Sequence, residues 1–305
     1  MQRYILMRIL QAAGTLLFVS ILIFILARLG GDPLHIMLPM EASEADFARA
    51  RKHLGLDKPL PVQYFKYISQ VATGDFGTSI RAKIPVTQLI MERLPYSLKL
   101  AGCSISIALF LALTLGVTAA VKKNSILDTI SRILAVSGMS IPIFWLAIMA
   151  ILLFSVELRL LPSSRAGGIK HYILPSFILG WSFSAPMMRL LRSSMLEVLD
   201  SEYVKLARIK GVAERRVIWL HALRNALIPV VTFAGFYLGL LIGGVVVIET
   251  VFAWPGLGLL AYESVVWRDY PVTQGVVLLI TTTVLTINVC VDILYAYLDP
   301  KIRYR

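Results

Sequence analysis

Six apolar stretches of about twenty residues constrain this chain more than any other feature of its sequence. They cover residues 9–29, 98–121, 133–156, 173–191, 226–248 and 273–298. A helix of about 20 residues crosses a hydrocarbon core of about 30 Å, and only 16% of the residues are charged. The fourth stretch contains Pro175, Pro186 and Arg189, but neighbouring helices can satisfy backbone groups that proline frees. The sequence therefore predicts an all-α polytopic membrane protein with six transmembrane helices.

The first stretch follows Arg3 and Arg8, a charge pattern that also opens a secretory signal peptide. Its apolar run is longer than the core of a typical signal peptide, and no small-x-small cleavage site follows it. The segment ends instead in Ala-Arg-Leu-Gly-Gly-Asp-Pro, residues 27–33. We therefore expect a retained transmembrane helix at 9–29, preceded by a short cytoplasmic N-terminus, 1–8.

Lysine and arginine are distributed unevenly between the loops. With the N-terminus inside, sixteen of the 30 basic residues fall in cytoplasmic segments and four in short external loops. The other ten lie in or beside the loop 28–99, and a loop of that length hardly counts toward orientation. The distribution predicts a multi-pass membrane protein with both termini in the cytoplasm and an even number of transmembrane helices. It also explains the net charge of +12 without a nucleic-acid partner.

An external segment, 30–95, is the only soluble-looking part of any size. It contains helical patterns at 41–54 and 62–71, separated by turn residues. Because it has too few apolar residues for an independent core, we expect it to lie as a cap against the mouth of the helix bundle. The remaining predicted regions are the transmembrane core 96–298, its cytoplasmic loop 193–225, and the cytoplasmic tail 299–305.

The most distinctive segment is the charged loop 193–225. Val204, Ala207 and Gly211 follow helical spacing, and the small Ala207 and Gly211 predict a shallow notch that another backbone could approach. Gly211 is expected to end this helix before a second amphipathic run. One interpretation is a basic surface that lies on anionic lipid, but several acidic residues oppose it (Glu197, Asp200, Glu202 and Glu214). We favour a segment that docks on a cytoplasmic partner.

Short motifs follow one another along the chain. They are Gly31-Asp-Pro33, Leu54-Gly-Leu-Asp-Lys-Pro59 with Gln63-Tyr64, Gly74-Asp-Phe-Gly77, Ile173-Leu-Pro175, Arg192-Ser-Ser-Met-Leu-Glu197, Tyr203, His221-Ala-Leu-Arg-Asn-Ala226, Phe252-Ala-Trp-Pro-Gly-Leu-Gly258 and Arg268-Asp-Tyr-Pro271. With these motifs the sequence resembles, over nearly its whole length, the dipeptide, oligopeptide and nickel branch of the ABC-importer permeases.

The cytoplasmic loop of these permeases has a general pattern: Glu-Ala-Ala, three residues, Gly, nine residues, then Ile-x-Leu-Pro. Ala207, Gly211 and Leu223 match it, and the positions that depart from it are Lys205, Leu206, His221 and Arg224. The peptide and nickel branch diverges from the general pattern in this same way. The resemblance therefore extends to the loop.

The resemblance implies a type I ABC-importer permease fold and a role as half of a translocation path. It implies four kinds of partner: a second homologous permease, two ATP-binding subunits, an external solute-binding protein and the lipid bilayer. ATP and Mg²⁺ would be held by the ATP-binding subunits, so the chain itself carries no cofactor. The solutes of this branch are dipeptides, oligopeptides, glutathione-like peptides, nickel and metal chelates.

The resemblance also implies two sites. Residues that would couple to the ATP-binding subunits are Tyr203, Lys205, Leu206, Ala207, Arg208, Lys210, Gly211, Val217, His221 and Leu223. Residues that would form the external mouth or contact the binding protein are Trp254, Pro255, Gly256, Asp269 and Tyr270. Trp254 and Tyr270 would also fit an aromatic belt at the membrane interface.

Other functional classes are weakly supported. The chain has no phosphate-binding Gly-Lys-Ser/Thr loop, no metal-ligand spacing and no paired catalytic residues, which argues against an enzyme. A secondary transporter or channel whose basic loop docks on lipid is the main alternative, but no repeated halves are visible. Asp292 is the one carboxylate predicted inside an apolar stretch. We expect it to pair with a basic loop residue or to snorkel to the surface.

Overall fold

The structure is a computed structural model that describes residues 2–29, 34, 43–54, 57–242 and 245–298. The Gly31-Asp-Pro33 motif and the basic tail 299–305 lie outside the described residues. All regular elements of the described part are helices, which confirms the all-α fold class.

Twelve helices are present in the described part of the chain. In order they are α1 Gln2–Leu29, α2 Glu44–Leu54, α3 Leu60–Ala72, α4 Val86–Val121, α5 Ile126–Ser140, α6 Ile143–Glu157, α7 Lys170–Leu199, α8 Glu202–Ile209, α9 Glu214–Ile242, α10 Val246–Val251, α11 Leu257–Val266 and α12 Tyr270–Leu298. The backbone is π-helical over Ile151–Glu157 at the end of α6 and over Val217–Ala222 within α9.

Several helices extend well beyond the predicted apolar stretches. α4 begins at Val86, inside the predicted external segment. α7 has 30 residues and includes Pro175 and Pro186 without ending there, and α9 begins at Glu214 rather than at 226. The helices are longer than the apolar stretches because a helix can continue into polar sequence. The membrane boundaries themselves stay predictions.

The single helix predicted at 133–156 is also wrong. α5 and α6 meet there at a bend of 102°. Pro142 cannot donate a backbone hydrogen bond, and a proline disfavours helical geometry in the residue before it. Ile141 is accordingly extended, with ψ of 123°.

Four described helices, α1, α4, α9 and α12, are long and apolar enough to cross a membrane, and the bent pair of α5 and α6 would make five. These helices support a multi-pass membrane protein. The total of six transmembrane helices stays a prediction, since α7 with its charged and polar residues is not among the four.

Close packing of small residues holds α4 against α7. A Cβ at Gly180 would lie 2.6 Å from Ile107 Cγ2, and one at Gly116 would lie 3.2 Å from Leu191 Cβ. The core shared with α9 is rich in buried alanines (Ala108, Ala112, Ala185, Ala222 and Ala226). Small residues let membrane helices approach closely. The two helices that flank α8 are therefore packed into one body.

α1 packs antiparallel to α12. Arg8 Nε lies 3.2 Å from Asp292 Oδ2. Later in α1, Leu16 lines a groove together with Thr282, which lies earlier in α12. Asp292 is thus engaged in an ion pair. Its partner is a residue of the first helix rather than of a loop, because the antiparallel packing brings the two charged ends together.

Candidate coupling surface and external mouth

The short helix α8 is tied to both neighbouring helices. Arg208 makes a bidentate pair with Glu214 at the start of α9, at 2.7 and 3.1 Å, and also donates to the carbonyl of Leu199 in α7 at 3.4 Å. At its other end, Tyr203 accepts a hydrogen bond of 2.7 Å from Asn225 Nδ2 of α9. A force applied to α8 would therefore pass directly to α7 and α9.

Gly211 ends α8 through a Schellman motif, in which a residue with positive φ turns the chain out of the helix. Its φ is +75°, its N–H donates to Arg208 O at 2.9 Å, and the N–H of Val212 donates to Ala207 O at 3.2 Å. No heavy atom lies within 4 Å of where a Cβ would be. Glycine is required here by the backbone conformation, not by a crowded contact.

The outward side of α8 is apolar and exposed. Tyr203 is 43% exposed, Leu206 50% and Ile209 82%; we call these three residues the α8 face. Val204 is fully buried and Ala207 half-buried, because that side packs on the chain's own helices. Gly211 is exposed, with open space where a Cβ would be, so the notch predicted at Ala207 and Gly211 is open only on the Gly211 side and its role stays a prediction. The apolar surface open to a partner is the α8 face.

The basic residues of α8 have acidic partners within the chain. Lys205 Nζ lies 3.1 Å from Glu202 and 3.4 Å from Asp200, and the hydrogen bond that Lys205 donates to Glu202 raises the pKa of Lys205. The pair with Glu214 likewise raises the pKa of Arg208. Lys205 and Arg208, two of the predicted coupling residues, thus have charges that are compensated within the chain. Lys210 is exposed beside them.

The other predicted coupling residues lie on α9. Val217 is fully buried and Leu223 is 7% exposed, so the prediction that these two contact a partner is wrong. They support the helix from inside the bundle. His221 is half-buried and lines a cavity of about 380 Å³ with Tyr203 and Arg224, next to the α8 face.

Trp254 belongs to the core of the predicted external mouth. It is fully buried, its indole N–H donates to Tyr96 O at 3.3 Å, and its ring meets that of Tyr172 edge-on at 4.6 Å. The predictions that Trp254 belongs to an aromatic belt or touches a binding protein are therefore wrong. The indole is buried because both its apolar ring and its single donor find partners inside the chain.

A buried carboxylate that sequence reasoning missed fixes the loop after Trp254. Glu249 is 1% exposed and accepts hydrogen bonds from Ser97 Oγ at 2.8 Å and from Leu259 N at 2.9 Å. The Ser97 hydroxyl in turn accepts from Leu257 N at 2.8 Å. A Cβ at Gly256 would overlap the Glu249 carboxylate. Gly256 is therefore a packing residue that lets the loop close over this charge.

Asp269 fastens the loop that precedes α4. It is 4% exposed and accepts hydrogen bonds from Ser79 Oγ at 2.5 Å and from the N–H groups of Ile80 and Arg81 at 3.1 and 3.2 Å. Asp269 is thus a structural anchor rather than a surface contact. Of the predicted mouth residues, Pro255 and Tyr270 are partly exposed, and Trp267 nearby is 53% exposed.

The coupling surface and the mouth lie at opposite ends of α9. α8 lies just before the first residue of α9, and the cluster of Glu249 and Trp254 follows the last residue of α9. The 29 residues of α9 correspond to about 43 Å at about 1.5 Å per residue. One long helix thus connects the two regions.

Comparison with known sequences shows which protein family the chain belongs to. Residues 112–304 match the family described as binding-protein-dependent transport system inner membrane component, and residues 1–101 match the N-terminal family of the same membrane components. The chain belongs to this permease family. It is a permease subunit of an ABC importer, and such subunits are non-catalytic and hold no cofactor, since ATP and Mg²⁺ bind to the ATPase partners.

Individual permeases are similar over their whole length. The glutathione transport system permease protein GsiC of Pectobacterium atrosepticum is 45% identical over 306 residues, covering all of both chains. The proteins of the same name from Salmonella paratyphi A and from Escherichia coli strain K12 are each 44% identical with the same coverage. The names of these relatives specify glutathione transport and do not mention nickel.

Proposed function

We propose that the α8 face seats one of two cytoplasmic ATP-binding subunits, and that the chain forms half of a translocation path with a second, homologous permease. The observation that carries this proposal is a rigid helix whose outward side presents three exposed apolar residues while its charges are paired internally. An external solute-binding protein would deliver solute to the mouth near Pro255 and Tyr270.

The contacts of α8 indicate how ATP binding would act on the path. Closure of the ATP-binding subunits would move α8, and Arg208 and Tyr203 would pass this motion to α7 and α9. Since both helices pack closely on α4, they would tilt as a body rather than bend separately. Tightly packed elements that shift as rigid bodies are a common form of conformational switching.

We infer that the solute is glutathione or a similar small peptide. The inference is supported by full-length identity of 44–45% to permeases named for glutathione transport. Deletion of this chain is expected to abolish uptake of radiolabelled glutathione in cells that otherwise carry the complete importer. In cells to which the deleted gene has been restored, excess unlabelled glutathione should compete for uptake, whereas a nickel salt should not. Unchanged glutathione uptake after the deletion would refute the proposed solute.

Both termini and the α8 region are proposed to lie in the cytoplasm. In a chain with Cys103 and Cys290 replaced by serine, single cysteines at the exposed positions Lys123 and Arg215 should resist a membrane-impermeant thiol reagent in spheroplasts. A cysteine at the exposed Lys58 should react. All three should react after detergent is added. Labelling of Arg215→Cys in intact spheroplasts would show that the orientation is opposite to the one proposed.

A further inference from the structure

The external helix α3 is attached to the side of α1, a candidate membrane span. Tyr64 Oη and Ser20 Oγ are 2.8 Å apart, and Gln63 Oε1 accepts a hydrogen bond of 3.1 Å from Arg28 Nε. The ring of Phe24 lies 5.4 Å from that of Tyr64 and 5.7 Å from that of Tyr67. α3 is therefore not suspended above the bundle but lies against the flank of its first helix.

The contacts place α3 below the end of the bundle. Phe24 precedes Leu29, the last residue of α1, by five residues (29 − 24), or about 7.5 Å along the helix. Leu16 lies 13 residues before the end of α1 (29 − 16). Thr282 lines the same groove as Leu16 and lies 12 residues after the start of α12 (282 − 270). The last residue of α1 and the first residue of α12 therefore lie at the same level. The rings of Tyr64 and Tyr67 lie closer to the middle of the bundle than this level.

The apolar surface of α3 is wider than its contact with α1. At about 100° per residue, Phe65 lies between the side that holds Tyr64 and Tyr67 and the polar side that holds Ser69 and Gln70. Phe65 is 75% exposed. At the same level α1 also exposes apolar side chains, with Leu26 at 51% and Leu22 at 44%. The uncovered surface of α3 is continuous with a helix surface suited to lipid.

We propose that α3 is an interfacial helix that lies in the headgroup region of the bilayer, with Phe65 in contact with acyl chains. Amphipathic helices of this kind bury their apolar side about 5–10 Å into the boundary between headgroups and acyl chains, which agrees with the level of Phe24. Tyrosines such as Tyr64 and Tyr67 favour the same zone. The helix would fix the height and rotation of α1 in the membrane. The proposal depends neither on the orientation of the chain nor on its partners.

Spin-label accessibility tests this placement directly. A nitroxide is attached to Phe65→Cys in the full chain, with Cys103 and Cys290 replaced by serine, in nanodiscs of phosphatidylethanolamine and phosphatidylglycerol. Phe18→Cys, at a position of α1 that is 65% exposed, is the lipid control, and Lys66→Cys is the matched control on the polar side of α3. Collision rates with oxygen and with a water-soluble nickel chelate are compared by power saturation.

The label at Phe65→Cys should collide more often with oxygen than with the nickel chelate, as the Phe18 control does, and at a shallower depth. The label at Lys66→Cys should show the reverse preference. A Phe65→Cys label that resembles the Lys66 control would place α3 in water and overturn the proposal. A label protected from both reagents would also overturn it, because protein would then cover this side of α3.

Discussion

Leu206→Asp combined with Ile209→Asp is expected to abolish both solute uptake and recovery of the ATP-binding subunits with the purified permease. The two side chains are 50% and 82% exposed in the isolated chain, so the change should not disturb its own folding. Burying a large aliphatic side chain contributes about 1.5–3 kcal/mol. Loss of two such contacts corresponds to an affinity lower by roughly a factor of 10² to 10⁴.

Two controls separate loss of the apolar contact from other effects. Leu206→Met with Ile209→Leu keeps the apolar volume and should retain uptake and ATP-binding subunits. Lys210→Glu reverses an exposed charge directly after the last residue of α8 and should weaken association by only about 1 kcal/mol or less. Membrane insertion is checked by protease resistance of each variant. Normal uptake by the double aspartate variant would show that the α8 face does not couple to ATP hydrolysis.

Asp128→Ala is expected to destabilise the chain substantially. Asp128 is fully buried and holds Arg192 through two hydrogen bonds of 2.8 and 2.9 Å. It also accepts the backbone N–H of Asn124 at 3.0 Å. Breaking a buried pair costs about 3–5 kcal/mol; because the Arg192 side chain is 24% exposed, we expect a loss of about 2–4 kcal/mol.

The measurement is thermal unfolding of the purified chain in detergent, where Asp128→Ala should lower the melting temperature. Arg132→Ala is the matched control, because Arg132 lies 3.5 Å from the same carboxylate but is 56% exposed. Its loss should cost about 1 kcal/mol or less. The double change Asp128→Leu with Arg192→Met should recover part of the stability. Equal melting temperatures for Asp128→Ala and the parent would show that the pair of Asp128 and Arg192 does not stabilise the contact between α5 and α7.

The sequence predicted features that depend on local composition. Apolar stretches identified the long helices, and Gly211 identified the end of α8 because a positive φ favours glycine. The side of α8 that is open to a partner could not be predicted. Spacing shows that Val204 and Ala207 share one side, but whether that side faces the bundle or a partner depends on where α7 and α9 lie.

Features that depend on long-range pairing were missed. Ser97 and Glu249 are far apart in sequence, and no pattern near either residue indicates their hydrogen bond. The same holds for Asp128, whose partner Arg192 is 64 residues away, and for Trp254, whose burial depends on Tyr96 and Tyr172. The bend between α5 and α6 could have been inferred, because Pro142 interrupts the predicted helix.

Photo-crosslinking from Ile209 tests the central claim most directly. A benzoylphenylalanine at position 209 of the full importer in native membranes should crosslink to an ATP-binding subunit, and nucleotide should change the yield. The same group at Phe18, which faces outward from α1 at 65% exposure, should give no such product. Crosslinking of position 209 to lipid, with none to an ATP-binding subunit in any nucleotide state, would contradict the proposal that α8 couples this permease to ATP hydrolysis.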